Sequence, residues 1–322
     1  MLPETSFTVI LESIAKLFLI SAVGYLSVRF RVLSAGAIET LSKFIITISL
    51  PCLIIATVGI NLHYNMLGLL GLGGLASLVL NGGSMLLALL FRRLFIARHE
   101  HGRNLFLSLS AIQNSGYLPI PLVIAILPEH LRPQGLILTF VYIMTMGLLF
   151  WSLGVWLVTE GSAADWRENL RKVINPPIIA LLSSFLFLIP PIKTGFDNAP
   201  VLRESLSLIG DTTIPLVMFV LGGSFGSAIT LRGSGGRIIG ISALVKLAVT
   251  PLAALLVVKA LAVEYTFGFV LVLQAAMPAA MNHIVVAREC KGNVPLIARA
   301  LFVHYMISII TIPLFLYLFD RI

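Results

Sequence analysis

An all-α membrane protein, with ten transmembrane helices in two inverted five-helix repeats, is the fold that three observations in this sequence predict. The 322 residues are 58% hydrophobic and 11% charged, with a mean hydropathy of +1.02, far outside the range of a soluble domain. Apolar runs of about 20 residues recur along the whole chain, each long enough to cross a hydrocarbon core of roughly 30 Å as a helix, whereas a β-barrel would show short alternating segments. One long hydrophilic linker, TEGSAADWRENLRKVINPP from Thr159, separates five such runs from five more. An odd number of spans per half reverses the second half relative to the first.

The runs fall at 6–29, 35–58, 66–91, 104–127, 134–158, 173–190, 203–228, 236–261, 265–286 and 294–319. The first is too long for a cleavable signal and lacks a positive leader, so it reads as a transmembrane helix. The expected units are therefore a first repeat at 1–158, a cytoplasmic linker at 159–172 and a second repeat at 173–322. With the N-terminus outside, loops on the cytoplasmic side, including those with Arg92, Arg93, Arg167, Arg171 and Lys172, hold fourteen of the 22 basic residues. The opposite side holds five, so both termini are expected outside a cytoplasmic (inner) membrane. That asymmetry accounts for the net charge of +8 through the lipid bilayer, without a nucleic-acid partner. Cys52 and Cys290 suggest neither a disulfide framework nor a metal site, and no cofactor is implied. A weak internal echo supports the repeat: Ser49-Leu50-Pro51 in span two and Thr213-Ile214-Pro215 in span seven are equivalent kinks, 164 residues apart.

Two runs are interrupted near their middles. Span four carries AIQNSGYLPIPLVIAIL from Ala111, and span nine, its counterpart, carries LVLQAAMPAAMNHIVVAREC from Leu271. Pro119, Pro121 and Pro278 each remove a helical hydrogen bond and clash with the preceding turn. A lone proline in a membrane helix is usually a packing kink. Two breaks at corresponding positions of inverted halves instead describe discontinuous helices crossing near the midplane, a recurring substrate site in secondary transporters. Freed amides at the half-helix starts favour an anion, most simply a carboxylate. The candidate binding set is Gln113, Asn114, Ser115, Gly116, Gln274, Pro278 and Asn282, whose side-chain amides and hydroxyl add neutral donors.

With these residues in view, QNSGYLPIPLV resembles the Asn-X-Gly-X-X-X-X-Pro-Leu segment of the auxin efflux carrier family, which includes bacterial dicarboxylate carriers and the plant PIN exporters. LQAAMPAAMNHIVVAREC is similar to that family's Gln-Ala-Ala-hydrophobic-Pro segment, ending in Arg288 and Glu289. SAVGYLSVRFRVLS in span one and SLPCLI in span two fit as well. The resemblance implies an elevator-type carrier of organic anions, in which spans three to five and eight to ten move against spans one, two, six and seven. It also implies a possible homodimer. Two departures stand out: Gln113 occupies the place where plant members carry proline, and Pro119 is added beside Pro121.

Of the ionisable residues within spans, Lys246 reads as electrostatic support for an anion or as partner of a buried carboxylate, and a structural lysine tied to carbonyls is the alternative. Asp211 is the expected proton-coupling carboxylate, with a hydroxyl-network role beside Thr212 and Thr213 as its alternative. Glu12 and Lys16 are spaced to neutralise each other. Arg299 is expected to snorkel and His304 to be a hydrogen-bonded core histidine. The glycine-rich stretches GLLGLGGLASLVLNGGS and VLGGSFGSAI read as close helix packing or sliding surfaces, since no GxxxxGK[ST] follows. No HExxH or triad spacing points to an enzyme, and no ATPase domain is present. The expected function is secondary transport of small organic anions, auxin-like or dicarboxylate, driven by protons or membrane potential. Sodium-coupled symport of the bile-acid-carrier type, a non-transporting anion sensor and an intramembrane hydrolase are the alternatives.

Overall fold

The computed structural model of the chain describes residues 7–97, 100, 102–159, 173–226, 233–289 and 293–322. Residues 160–172 of the inter-repeat linker, Cys290 and Lys291 lie outside them. Among the described residues there is no strand, and seven helices are long and apolar enough to cross a bilayer. In chain order the helices are α1 (Phe7–Arg29), α2 (Ala35–Asn61), α3 (Tyr64–Phe95), α4 (Arg103–Ala111), α5 (Pro119–Ile126), α6 (Arg132–Val158), α7 (Pro176–Leu188), α8 (Pro190–Asp197), α9 (Pro200–Gly226), α10 (Gly236–Leu261), α11 (Tyr265–Ala276), α12 (Asn282–Glu289) and α13 (Val294–Asp320). The sixth apolar run is shorter than 173–190, because the chain bends by 104° between α7 and α8, where Pro190 begins the new helix.

Local sequence sets most of these ends. Ser34 accepts from Ala37 N at the start of α2, and Asn175 accepts from Ile178 N ahead of Pro176 and Pro177 in α7. Glu264 caps α11 and Asn293 caps α13 in the same way. Within α2 and α10, a π turn immediately precedes Pro51 and Pro251 respectively, at Ile45–Ser49 and Val245–Val249. A proline lacks the N–H that would bond one turn back, and the wider turn absorbs the mismatch. Pro215 is accommodated by a break in α9 at Thr212. Ser49 and Thr213, the residues ahead of the two matched prolines, meet directly, with their hydroxyl oxygens 2.6 Å apart.

Helices α1 and α9 form the closest seam. A Cβ at Gly222 would overlap the Ser21 carbonyl, and one at Gly24 the Phe219 carbonyl, so the glycines of VLGGSFG serve close packing. The other glycine-rich stretch is different: Gly73 packs on Leu138, while Gly68, Gly71, Gly82 and Gly83 face open space. Glu12 and Lys16 are both exposed on α1 and, among the described residues, form no ion pair. They lie on the outward face of that helix.

Candidate functional site

The two interrupted helices meet. Ile112 and Met277, the residues that end α4 and α11, are both extended, as expected for Met277 ahead of Pro278. The extended segments run antiparallel, with a bridge between Gln113 and Ala279. Asn114 N donates to Pro278 O at 2.8 Å and Ala280 N to Ile112 O at 3.2 Å. Each broken helix thus satisfies backbone groups freed in the other, which lets an irregular crossing lie in the interior. Gln113, Asn114, Gln274 and Ala279 are all buried.

Side chains fix the crossing on both sides. Asn114 Oδ1 accepts from Tyr117 N at 3.0 Å and Gly116 N at 3.3 Å, while its Nδ2 donates to the Tyr305 hydroxyl at 2.7 Å. The Gly116 and Tyr117 amides ahead of α5 are therefore taken by Asn114 itself, and within α5 Pro119 and Pro121 carry no N–H while Ile120 N and Leu122 N donate to Gly116 O and Leu118 O, which corrects the expectation that the first amides stand open to a guest. Gln113 Nε2 donates to the Tyr142 hydroxyl, which also accepts from Asn81 Nδ2 at 3.1 Å. Lys246 Nζ donates to Gln113 Oε1 at 3.2 Å. Gln274 Nε2 donates to Ser115 O at 3.1 Å, leaving Gln274 Oε1 buried without a partner.

Beside the crossing lies a cavity of about 150 Å³. Gln113, Asn114, Ser115, Gly116 and Asn282 form its polar end, and Tyr117, Phe150 and Trp151 give it aromatic walls. The π turn of α6 at Phe150–Gly154 sets those two α6 aromatics in register. Opposite stand Ile45, Leu50, Ile178 and Val217 from α2, α7 and α9. The side chains of Ser115 and Asn282 have no hydrogen-bond partner among the described residues, so they are the donors most available to an occupant. Among the described residues, no three His, Cys, Asp or Glu side chains gather to hold a metal.

The remaining sequence-selected residues divide. Gln274, Pro278 and Lys246 lie behind the cavity wall, and Pro119 and Pro121 open α5. Pro51 and Pro215 sit in the α2 and α9 breaks, away from the lining. Asp211 is exposed at the end of the first half of α9. It is not a buried carboxylate, because that face of the helix turns outward while Thr212 and Thr213 turn in to Ser49. Arg299 donates to Ser234 O at 2.7 Å and Pro295 O at 3.2 Å, tying down the approach to α10 rather than snorkelling. His304 bonds Ser242 at 3.0 Å, as a core histidine would. Tyr142, Tyr305, Asn81 and the aromatic walls were not selected from the sequence. The signal for the tyrosines was available: they are 163 residues apart, close to the offset of the matched prolines.

Helices of spanning length packed around two broken ones, with a polar crossing and an adjoining cavity, define a polytopic membrane transport protein. The family model described as membrane transport protein matches residues 9–169 and 166–316, and the chain belongs to that family, with its auxin efflux and PIN-like members. It is similar to an uncharacterized transporter of Methanothermobacter thermautotrophicus, 26% identical over 306 residues, covering 94% of this chain and 96% of that protein. An uncharacterized transporter of Methanocaldococcus jannaschii is 24% identical over 293 residues, 91% of this chain and 93% of the other. PIN-LIKES 3 of Arabidopsis thaliana is 31% identical over 130 residues, 36% of this chain and 33% of its own. The chain is an integral membrane protein of the transporter class.

Proposed function

We infer that the chain is a secondary carrier that moves small organic monocarboxylates with an apolar body across the cytoplasmic membrane. The observation that carries this reading is the asymmetry of the cavity: the polar side chains without a partner among the described residues, Ser115 and Asn282, stand at the crossing, and the rest of the wall is mainly aliphatic and aromatic, its other polar members, Asn175 and Thr213, being bonded to Ile178 N and the Ser49 hydroxyl. A carboxylate at Ser115 and Asn282 would find neutral donors there, and its body would be desolvated against Phe150, Trp151 and Ile178. A dicarboxylate would bury its second charge against Ile45, Leu50 and Val217, at high desolvation cost.

Ten spans in two inverted halves, 1–158 and 173–322 about the 159–172 linker, with both termini outside, remain our reading of the topology. The Ser49 to Thr213 contact supports it, since equivalent residues of an inverted repeat meet at its pseudo-two-fold axis. The cavity supports an elevator-type motion, having one wall from α2, α7 and α9 and the other from α5, α6 and the crossing. Lys246, one side chain behind that wall, supplies positive potential through Gln113.

The test is uptake into proteoliposomes of labelled benzoate, phenylacetate, indole-3-acetate and malonate. Saturable uptake of the three monocarboxylates, with malonate at least tenfold weaker, is expected. Uptake of malonate alone would overturn the substrate class, and no saturable uptake of any would overturn the carrier reading.

A further inference from the structure

Lys246 is fully buried, and Gln113 Oε1 is its one acceptor among the described residues. The elements packed against its π turn are α3, α4, α11 and α13. Facing it are His304 of α13, within electrostatic range, and, across Gln113, Tyr142 of α6. His283 of α12 lies beyond His304, bonded to Ser108 Oγ and Ala280 O. Tyr305 turns to Asn114 instead. None of these groups can supply a negative charge at neutral pH.

The acid content of the neighbouring helices is decisive. Helices α3, α4, α10 and α11 contain no Asp or Glu at all. The single acid of α13 is Asp320, about 24 Å along the helix from His304, where it accepts from the Tyr265 hydroxyl. Asp211, the expected proton-coupling carboxylate, is exposed on α9. Among the described residues the ammonium therefore has no counter-anion, and an unpaired buried charge is strongly disfavoured. Lysine, unlike arginine, escapes that penalty by releasing its proton.

Gln113 is suited to both states. As the side chains stand, its oxygen faces the lysine and its NH2 faces the Tyr142 hydroxyl. Turned over, the same amide donates to a neutral amine and accepts from that hydroxyl, because a phenol both donates and accepts. The other face of Gln113 lines the cavity, so a carboxylate there is separated from Lys246 by one amide.

We propose that Lys246 is a proton-binding site filled together with the anion: a neutral amine when the cavity is empty and an ammonium when a carboxylate occupies it. The proton is taken from the loading side and released with the anion on the other, so one anion and one proton cross as a neutral pair. The proposal rests on the anion site inferred above, and a stoichiometric measurement separates its failure from the failure of that reading.

Purified protein in weakly buffered detergent solution is titrated with phenylacetate and with indole-3-acetate, between about pH 6 and 10, where the carboxylates are already ionised. Protons taken up are read with an indicator dye. Wild type is expected to take up about one proton per anion on the alkaline side, its Kd rising about tenfold per pH unit there and flattening toward acid. Lys246→Arg, which keeps its charge, is expected to bind with no uptake and a flat Kd, and its flux to become electrogenic. His304→Gln is expected to retain the uptake. Wild-type binding without proton uptake overturns the coupling and leaves the anion site standing, whatever the variants do. Uptake lost in His304→Gln but kept in Lys246→Arg moves the proton to His304 and overturns the assignment. No binding of either anion removes the site and the coupling together.

Discussion

Asn114 combines two duties in one side chain. Its oxygen closes the turn at Gly116 and Tyr117 ahead of α5 and its nitrogen holds Tyr305, and Asn114 itself lines the cavity. Two substitutions separate structure from binding. Asn114→Asp keeps an oxygen to accept from Gly116 N and Tyr117 N but places a carboxylate beside the anion, so its melting temperature should stay near that of wild type while anion affinity falls at least tenfold. Asn114→Ala removes these hydrogen bonds and should cost about 1 kcal/mol of stability as well as binding. Thermal unfolding and anion titration of the pair check this. An Asp variant that binds normally would place the carboxylate elsewhere. The place of Gln113, Asn114 and Ser115 in a break of an apolar helix was legible in the sequence, because polar residues beside proline in an apolar run are costly to bury without partners. Their partners were not: nothing local in the sequence says that Tyr142 and Tyr305 turn inward, since tyrosine is common at lipid interfaces too. Asp211 failed as a site residue for a related reason. Position along a helix was readable, but the face it occupies depends on how α9 is rotated against α1 and α2.

At the level of elements, proline governs where helices bend and glycine where they touch. Both effects follow from covalent chemistry, so helix breaks at 112–118 and 277–281 and the turns before Pro51 and Pro251 could be anticipated from the sequence or explained by it. Glycine was harder to read, because a missing side chain serves equally in a tight seam and on an open face. The structure separates the two cases. Gly222→Ala would force α1 and α9 apart at the Ser21 carbonyl and should destabilise the protein by about 1–3 kcal/mol. Gly82→Ala meets nothing within 4 Å, and should be neutral or gain up to about 1 kcal/mol of helix propensity. Comparative thermal unfolding of the two variants gives the sign, and equal effects would show that the α1 to α9 seam is not as close as described. The sharp bend between α7 and α8 escaped the apolar pattern, since hydrophobicity continues through Ile189 to Ile192 while the backbone turns by 104°.

For the whole molecule, the two halves meet at the Ser49 to Thr213 contact and at the antiparallel crossing, and the cavity lies between those two junctions. Membership in a transporter family and the apolar helices were legible from composition and motif, because the bilayer permits so few alternatives. Any motion that carries a substrate across was not, since alternating access is a difference between states that share one sequence. The account makes one central claim: the Ser115 and Asn282 end of the cavity holds a carboxylate and opens to each side of the membrane in turn. Ser115→Cys, made in a background with Cys52→Ser and Cys290→Ser, tests it with a membrane-impermeant thiol reagent applied to proteoliposomes from either side. The account predicts labelling from both faces, slowed at least fivefold by saturating phenylacetate. Labelling from one face alone under every condition, or at a rate no anion alters, would contradict it.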